Sequence, residues 1–225
     1  MTVRRIFAGG ALVLLTALVT SQVVSQDKPG KMSEKEKQMW AAMARYGSPG
    51  EHHKHLDALV GDWTYTLEWW EYPGGETQKD TGTVESMWVL GGRFVLQHVM
   101  GDEPMQDGSV FEGHGCIGYD NFRQEYTSAW ISNMQTSIST KRGSVDATGK
   151  TFTFWGTHDD IMTGERDKPI RETTTIVDRI TYTSEWFTKD AAGEEFKSGR
   201  LVFTRKTKGE GASGAPRKQE KKYRD

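Results

Sequence analysis

The stretch HLDALVGDWTYTLEWW, residues 55–70, decides the fold because its apolar period changes at Gly61. Leu56 and Leu59 have the spacing of one helical turn, and glycine is a residue that commonly ends such a turn. From Trp63 onward apolar and polar residues alternate, as they do in a strand with one face against a core. The stretch therefore predicts a short helical turn that leads into a first β-strand.

Turn signals divide the rest of the chain into about ten short strand candidates. No amphipathic run of helical length interrupts them, which indicates an antiparallel meander, and a meander of this size closes to remove its edges. We therefore predict an all-β, antiparallel up-and-down barrel over residues 51–205, with a flat two-sheet sandwich as the alternative. Glycine, proline, asparagine and aspartate mark the turns, at residues 73–75, 91–92, 102–108, 120–121, 133, 146–149, 164–169, 178 and 190–193.

Three short motifs link this pattern to a known group of proteins. A Gly-x-Trp after a helical turn, here at Gly61 and Trp63, resembles the signature of the calycin superfamily of lipocalin-like barrels. The longer pattern H-x-x-L-x-x-L-V-G-x-W at residues 53–63, with Gly-Gly-Arg-Phe at 91–94 and Gly-Tyr-Asp at 118–120, resembles a calycin-related bacterial family of unknown function. The resemblance implies a fold and no established activity.

The resemblance also implies structural roles for two residues. In lipocalin-like folds the tryptophan of Gly-x-Trp plugs the closed end, and a basic residue late in the last strand packs over its ring in a cation–π contact. Trp63 and Arg205 match these two positions. Both are therefore expected to close the barrel and to stay outside any binding site.

The two ends of the chain have different compositions from the middle. Arg4 and Arg5 precede an apolar run, and small residues before Gln26 offer a cleavage point, so residues 1–25 are predicted to be a signal peptide, ordinary or twin-arginine, that exports the protein to the periplasm or the medium. An uncleaved anchor is the alternative, but the run is shorter than the roughly 20 residues of a spanning helix. Residues 26–50 are predicted to be a linker with a short helix, and residues 206–225 a disordered basic tail.

Composition narrows the partners of this single domain. A net charge of −2 and a pI near 6.3 leave no basic field for nucleic acid. Cys116 is the only cysteine, so no disulfide can form within the chain. Aromatic residues make up 11% of the chain, which favours a β core or an aromatic-lined cavity. Nothing in the composition indicates an oligomeric state.

Alternation along the strands predicts which side chains face the interior. A barrel of this size can hold a small ligand as well as side chains, so we predict non-covalent binding of a small, largely apolar molecule. Polar Ser128, Ser184 and Arg200 share the inward parity and are further candidates. A filled barrel that acts through its outer surface is the alternative. The predicted ligand-binding residues are Trp69, Trp88, His98, Tyr126, Trp130 and Trp186.

Catalytic motifs are missing from the sequence. There is no Gly-x-Ser-x-Gly elbow, no His-Glu-x-x-His and no phosphate-binding glycine loop. Glu112, His114 and Cys116 share one face of a strand, which keeps an enzyme as a third hypothesis, whereas acids such as Glu172 are assigned to a solvated face. No catalytic residue is predicted.

Histidines give two weaker hypotheses. His52 and His55, close to His53 and Glu51, lie about one helical turn apart, but the sequence identifies no further ligands for a metal. Some calycin relatives bind haem through a barrel histidine, for which His98 would be the candidate, yet no haem attachment motif is present. We therefore predict neither a metal site nor a cofactor.

Overall fold

A computed structural model describes residues 32–207. The predicted signal peptide and all but the first two residues of the predicted tail lie outside the described residues. The chain divides into two units after Trp40; the first is described only from residue 32, shortly before the first helix begins, and the second as far as residue 207. No helix in the described part of the chain is long and apolar enough to cross a membrane.

Between residue 32 and the barrel the structure has three short helical segments. Helix α1 spans Glu34–Gly47, helix α2 spans Glu51–Lys54, and a 3₁₀ turn spans His55–Leu59. At the start of α1 the Glu36 carboxylate accepts a hydrogen bond from the Ser33 amide at 2.7 Å, and the Ser33 hydroxyl accepts one from the Glu36 amide. The 3₁₀ turn is the helical turn that the apolar spacing predicts.

Ten antiparallel strands form a closed barrel. Each strand pairs with its neighbours in the chain, and β1 also pairs with β10, where Trp63 lies opposite Arg205. The predicted lipocalin-like, up-and-down barrel is confirmed, and the two-sheet alternative is wrong. The strands are β1 Gly61–Trp69, β2 Gln78–Val89, β3 Phe94–Pro104, β4 Val110–Asp120, β5 Glu125–Ser132, β6 Ser139–Val145, β7 Thr151–Asp160, β8 Glu165–Ile176, β9 Thr181–Lys189 and β10 Glu195–Arg205.

The two ends of the barrel differ. At the end where β1 begins, here called the closed end, the 3₁₀ turn inserts Leu56 and Leu59, which are 0% and 2% exposed. Gly61 has a φ of +130°, and a Cβ there would overlap the guanidinium of Arg205. Glycine is therefore required where the turn enters β1. The opposite end, here called the open end, carries the loops at 70–77, 105–109, 133–138, 161–164 and 190–194.

Buried Trp63 and partly buried Arg205 contact each other at the closed end. Trp63 is 1% exposed, and the Arg205 guanidinium carbon lies 4.0 Å from its ring centroid. Arg205 donates hydrogen bonds to the backbone oxygens of Val60, at 2.8 Å, and of Arg179, at 3.0 Å. The Trp63 indole donates to the Leu59 oxygen at 3.1 Å. These bonds connect the 3₁₀ turn, the loop before β9 and the end of β10.

The inward register of β3 differs by one residue from the predicted one. Val95, Gln97 and Val99 face the interior, and His98 therefore points outward with Leu96. Both faces of β3 carry apolar residues, so the sequence pattern does not distinguish them. A shift of one residue reverses every side chain of a strand.

Candidate functional site: a cavity inside the barrel

A cavity of about 630 Å³ occupies the barrel interior. It is lined near the open end by Trp69, Met105 and Met134 and extends toward the closed end as far as Leu59 and Phe203. This volume lies within the range of sites that enclose small molecules. The barrel is therefore not filled by its own side chains.

Most of the cavity wall is aromatic and aliphatic. The indole of Trp130 lies directly over Gly113, and that of Trp186 lies over Gly199. Both rings are so close that a Cβ at either glycine would overlap them. The glycines thus let two large rings lie close to the sheet. The apolar wall consists of Tyr65, Leu67, Trp69, Val84, Val99, Phe111, Ile117, Trp130, Ile170, Trp186, Leu201 and Phe203.

Adjacent strands β6, β7 and β8 contribute a polar group to the same cavity. Lys141 and Glu172 form an ion pair at 2.7 Å, with side chains only 14% and 19% exposed, and His158 lines the cavity beside them. The assignment of Glu172 to a solvated face is wrong. Polar residues occupy both faces of β8 around it, so alternation does not reveal which face is buried.

Two buried polar atoms of the cavity lining have no hydrogen-bond partner within residues 32–207. They are Nδ1 of His158 and the hydroxyl oxygen of Tyr182. Burial, aided by the positive charge of Lys168, lowers the pKa of His158, so its imidazole is neutral at neutral pH. Burial raises the pKa of Tyr182, although the neighbouring Gln97 side chain acts in the opposite direction, and the hydroxyl therefore keeps its proton. Because buried polar atoms normally have partners, these two are available to a polar group of a ligand.

The cavity lining contains more carboxylates than ammonium groups. Lys141 is compensated by Glu172, whereas Asp80 and Glu103 also line the cavity and form no ion pair within the described part of the chain. Neutral His158 does not offset them. The lining therefore carries net negative charge, from Asp80 in the wall and from Glu103, which is exposed to solvent.

Three of the six predicted ligand-binding residues lie together in this cavity. Trp69, Trp130 and Trp186 belong to its lining. Ser128 and Ser184 also line it, whereas Arg200 points outward toward Glu185. Whether these residues contact a ligand stays a prediction.

Trp88 and Tyr126 are packed at the closed end and do not line the cavity. The Trp88 indole donates to a carboxylate oxygen of Asp57 at 2.9 Å. Tyr126 is 2% exposed, and its hydroxyl donates to the backbone oxygen of His52 at 2.8 Å. Alternation places both correctly on an inward face, but it carries no information on depth along the barrel.

His98 also lies outside the cavity, on the outer wall. The haem hypothesis loses its basis, because it required an inward His98.

Cys116 shares that outer wall with His114, and burial raises the pKa of its thiol, which makes the reactive thiolate scarcer at neutral pH. Glu112 and His114 of the same trio lie 3.5 Å apart, and whether these three residues have an enzymatic role stays a prediction.

The histidine group before β1 has structural contacts. Nδ1 of His53 accepts a hydrogen bond from the Gly50 amide at 3.0 Å, and Nδ1 of His55 lies 2.8 Å from the Tyr126 hydroxyl. His52 stacks on Tyr119 with ring centroids 4.4 Å apart. These contacts hold α2 and the 3₁₀ turn over the closed end.

The lowered pKa of His158 predicts a pH dependence of stability. The unfolded chain takes up this proton more readily than the folded protein, so stability is highest above the ordinary histidine pKa and falls as pH decreases below about 6.5. We expect His158→Gln to lose less stability than the wild type between about pH 7.5 and pH 5, measured by urea unfolding. His52→Gln, an exposed control, should keep the wild-type dependence; equal slopes for all three proteins would contradict the prediction.

Fold and site define the class of this protein as a closed up-and-down β-barrel with an internal cavity that opens at one end. Residues 48–205 match the family described as "Protein of unknown function (DUF1579)". Because the match covers most of the chain, the protein belongs to that family. No curated protein matches the sequence.

Solved structures share the barrel at low sequence identity. Rv2717c from M. tuberculosis is 14% identical with a TM-score of 0.52, over 71% of this chain and 100% of that one. The S-type phycobiliprotein lyase CPES from Guillardia theta is 9% identical with a TM-score of 0.49, over 71% of this chain and 99% of that one. The similarity to Rv2717c supports the fold alone.

Proposed function

We propose that this protein binds a small, largely apolar molecule in the barrel cavity. The observation that carries the proposal is an aromatic-lined cavity in whose wall two buried polar atoms, on His158 and Tyr182, have no partner among the described residues. The apolar body of the ligand contacts Trp130 and Trp186, and its polar end faces the side of Lys141. A cavity of this size argues against the alternative that side chains fill the barrel.

Apolar contact supplies the affinity in this proposal. Burial of about 200 Å² of ligand surface contributes about 5 kcal/mol before the cost of association. The few polar groups of the wall set the orientation of the ligand. The negative charge of Asp80 and Glu103 selects a neutral or cationic polar end over an anionic one.

Three probes with one chain length test the cavity and its charge preference. Decanol, decylamine and decanoate are titrated calorimetrically below their micellar concentrations. We expect decanol and decylamine to bind at least about tenfold more tightly than decanoate, which corresponds to about 1.4 kcal/mol. Tightest binding of decanoate would contradict the charge preference, and binding of none of the probes would contradict the site.

Trp130→Ala is expected to weaken decanol binding about tenfold. The truncation removes about 60 Å² of apolar contact from the cavity wall, or about 1.5 kcal/mol. The matched control is Trp155→Ala, because Trp155 is 52% exposed and absent from the cavity lining. Calorimetry measures the decanol affinity of both variants. Equal affinities for the two would contradict the assignment of Trp130 to the ligand site.

We also propose that the protein works outside the cytoplasm. Support comes from Arg4 and Arg5, the apolar run after them and the small residues before Gln26. Cell fractionation with N-terminal sequencing of the mature protein tests this. A chain in the cytoplasmic fraction that retains residues 1–25 would contradict it.

A further inference from the structure

The outer wall of the barrel carries a compact group of metal-binding side chains, formed by His98 on β3 with Glu112 and His114 on β4. His98 and His114 are direct partners in the sheet, and their rings stack with centroids 4.7 Å apart and planes 8° apart. Glu112 lies two residues before His114 on the same face. The strand pairing therefore brings His98 next to Glu112 and His114, from which it is separate in the sequence.

Both donor distances to Glu112 are close to the spacing that a tetrahedral ion requires. Oε1 of Glu112 lies 2.9 Å from Nε2 of His98 and 3.5 Å from Nε2 of His114, and all three atoms lie within 4.8 Å of one another. An ion with bonds of about 2.0 to 2.1 Å separates its ligands by about 3.3 Å. The two distances to Glu112 lie on either side of this value, and the two imidazole planes, which are 8° apart, would have to tilt toward each other for both nitrogens to point at one ion.

We propose that His98, Glu112 and His114 bind one divalent transition-metal ion of the zinc type. Two imidazoles and one carboxylate suit Zn²⁺ and its neighbours in the first transition row, whereas Ca²⁺ and Mg²⁺ prefer sites made of oxygen alone. Three protein ligands leave a fourth position open to solvent, because the side chains are 38%, 49% and 44% exposed. The site is separate from the cavity, which lies on the other side of the sheet.

The backbone of the carboxylate ligand is held in place. The backbone N–H of Glu112 donates to the side-chain oxygen of Asn133 at 3.0 Å, and the backbone N–H of Asn133 donates to the backbone oxygen of Glu112 at 2.9 Å. The Asn133 side chain also donates to the backbone oxygen of Val110 at 2.8 Å. These bonds fix the start of β4 against the loop after β5, which reduces the freedom lost when a metal binds.

The test is calorimetric titration of the purified protein with Zn²⁺, together with the visible absorption of Co²⁺ as a probe of coordination. We expect one Zn²⁺ per chain with micromolar affinity. His98→Phe and His114→Phe, which keep the stacked rings, and Glu112→Gln should each weaken binding at least about tenfold, the loss that even an outer-shell substitution causes. Thermal melting verifies that each variant is folded.

Two control variants separate this site from other zinc ligands of the chain. Cys116→Ser tests the single thiol, and His52→Phe tests the histidine group at the closed end. Both should keep the wild-type affinity. No binding at up to about 0.1 mM Zn²⁺, or equal binding by the wild type and His98→Phe, would overturn the proposal.

Discussion

Trp63→Ala is expected to lower the free energy of unfolding by about 4 kcal/mol, the largest effect of any substitution considered. Trp63 is 1% exposed, and its removal leaves a cavity that the closed end cannot fill. The substitution also removes the ring beneath the Arg205 guanidinium, 4.0 Å away, and the indole bond to the Leu59 oxygen. Urea unfolding followed by circular dichroism measures the loss.

Trp155→Ala is the matched control for this loss. Trp155 is 52% exposed on the outer wall, so its truncation should cost less than about 1 kcal/mol. A double-mutant cycle with Arg205→Met should give a coupling of about 0.5 to 2 kcal/mol between Arg205 and Trp63. Equal losses for Trp63→Ala and Trp155→Ala would show that the closed end does not hold the barrel together.

Lys141→Met is expected to lower the free energy of unfolding by about 2 kcal/mol. The substitution leaves the Glu172 carboxylate in the cavity wall without the ammonium group that lies 2.7 Å away. An unpaired charge at a site of low exposure loses more by desolvation than an exposed one. Urea unfolding at neutral pH measures the effect.

A second ion pair of the same length provides the control for Lys141. Lys197 and Glu185 lie 2.7 Å apart on the outer wall, with side chains 40% and 27% exposed. Lys197→Met should therefore cost less than about 1 kcal/mol. The double variant Lys141→Met with Glu172→Leu should recover most of the loss, because no unpaired charge then remains. Equal costs for the two lysine substitutions would contradict the role assigned to burial.

This pair also bears on the proposed function. Lys141 and Glu172 bring two hydrogen-bonding groups into the cavity wall without adding net charge. If they orient a ligand, the double variant should be stable but should prefer decanol over decanethiol less than the wild type does, since two polar groups of the cavity wall have been removed. Stability and ligand orientation can thus be measured separately in one protein.

The sequence by itself determined the strand number, the turns and the closing residues. Alternation from Trp63 and turn residues such as Gly91 and Asp120 act over a few neighbouring positions, so they can be read locally. The same local signal predicted that Trp69, Trp130 and Trp186 face inward. Each of these predictions depends only on short segments whose two faces differ clearly in polarity.

Tertiary structure decided the remaining features. On β3 and β8 both faces are alike, and only pairing with neighbouring strands placed His98 outside and Glu172 inside. Trp88 and Tyr126 face inward but do not line the cavity, because they lie at the closed end, where they contact the helical segments before β1. The two polar clusters each combine residues of different strands. Lys141, His158 and Glu172 lie on β6, β7 and β8, and His98 on β3 meets Glu112 and His114 on β4. Their convergence depends on the register of long-range pairing, where a shift of one residue exchanges the two faces of a strand.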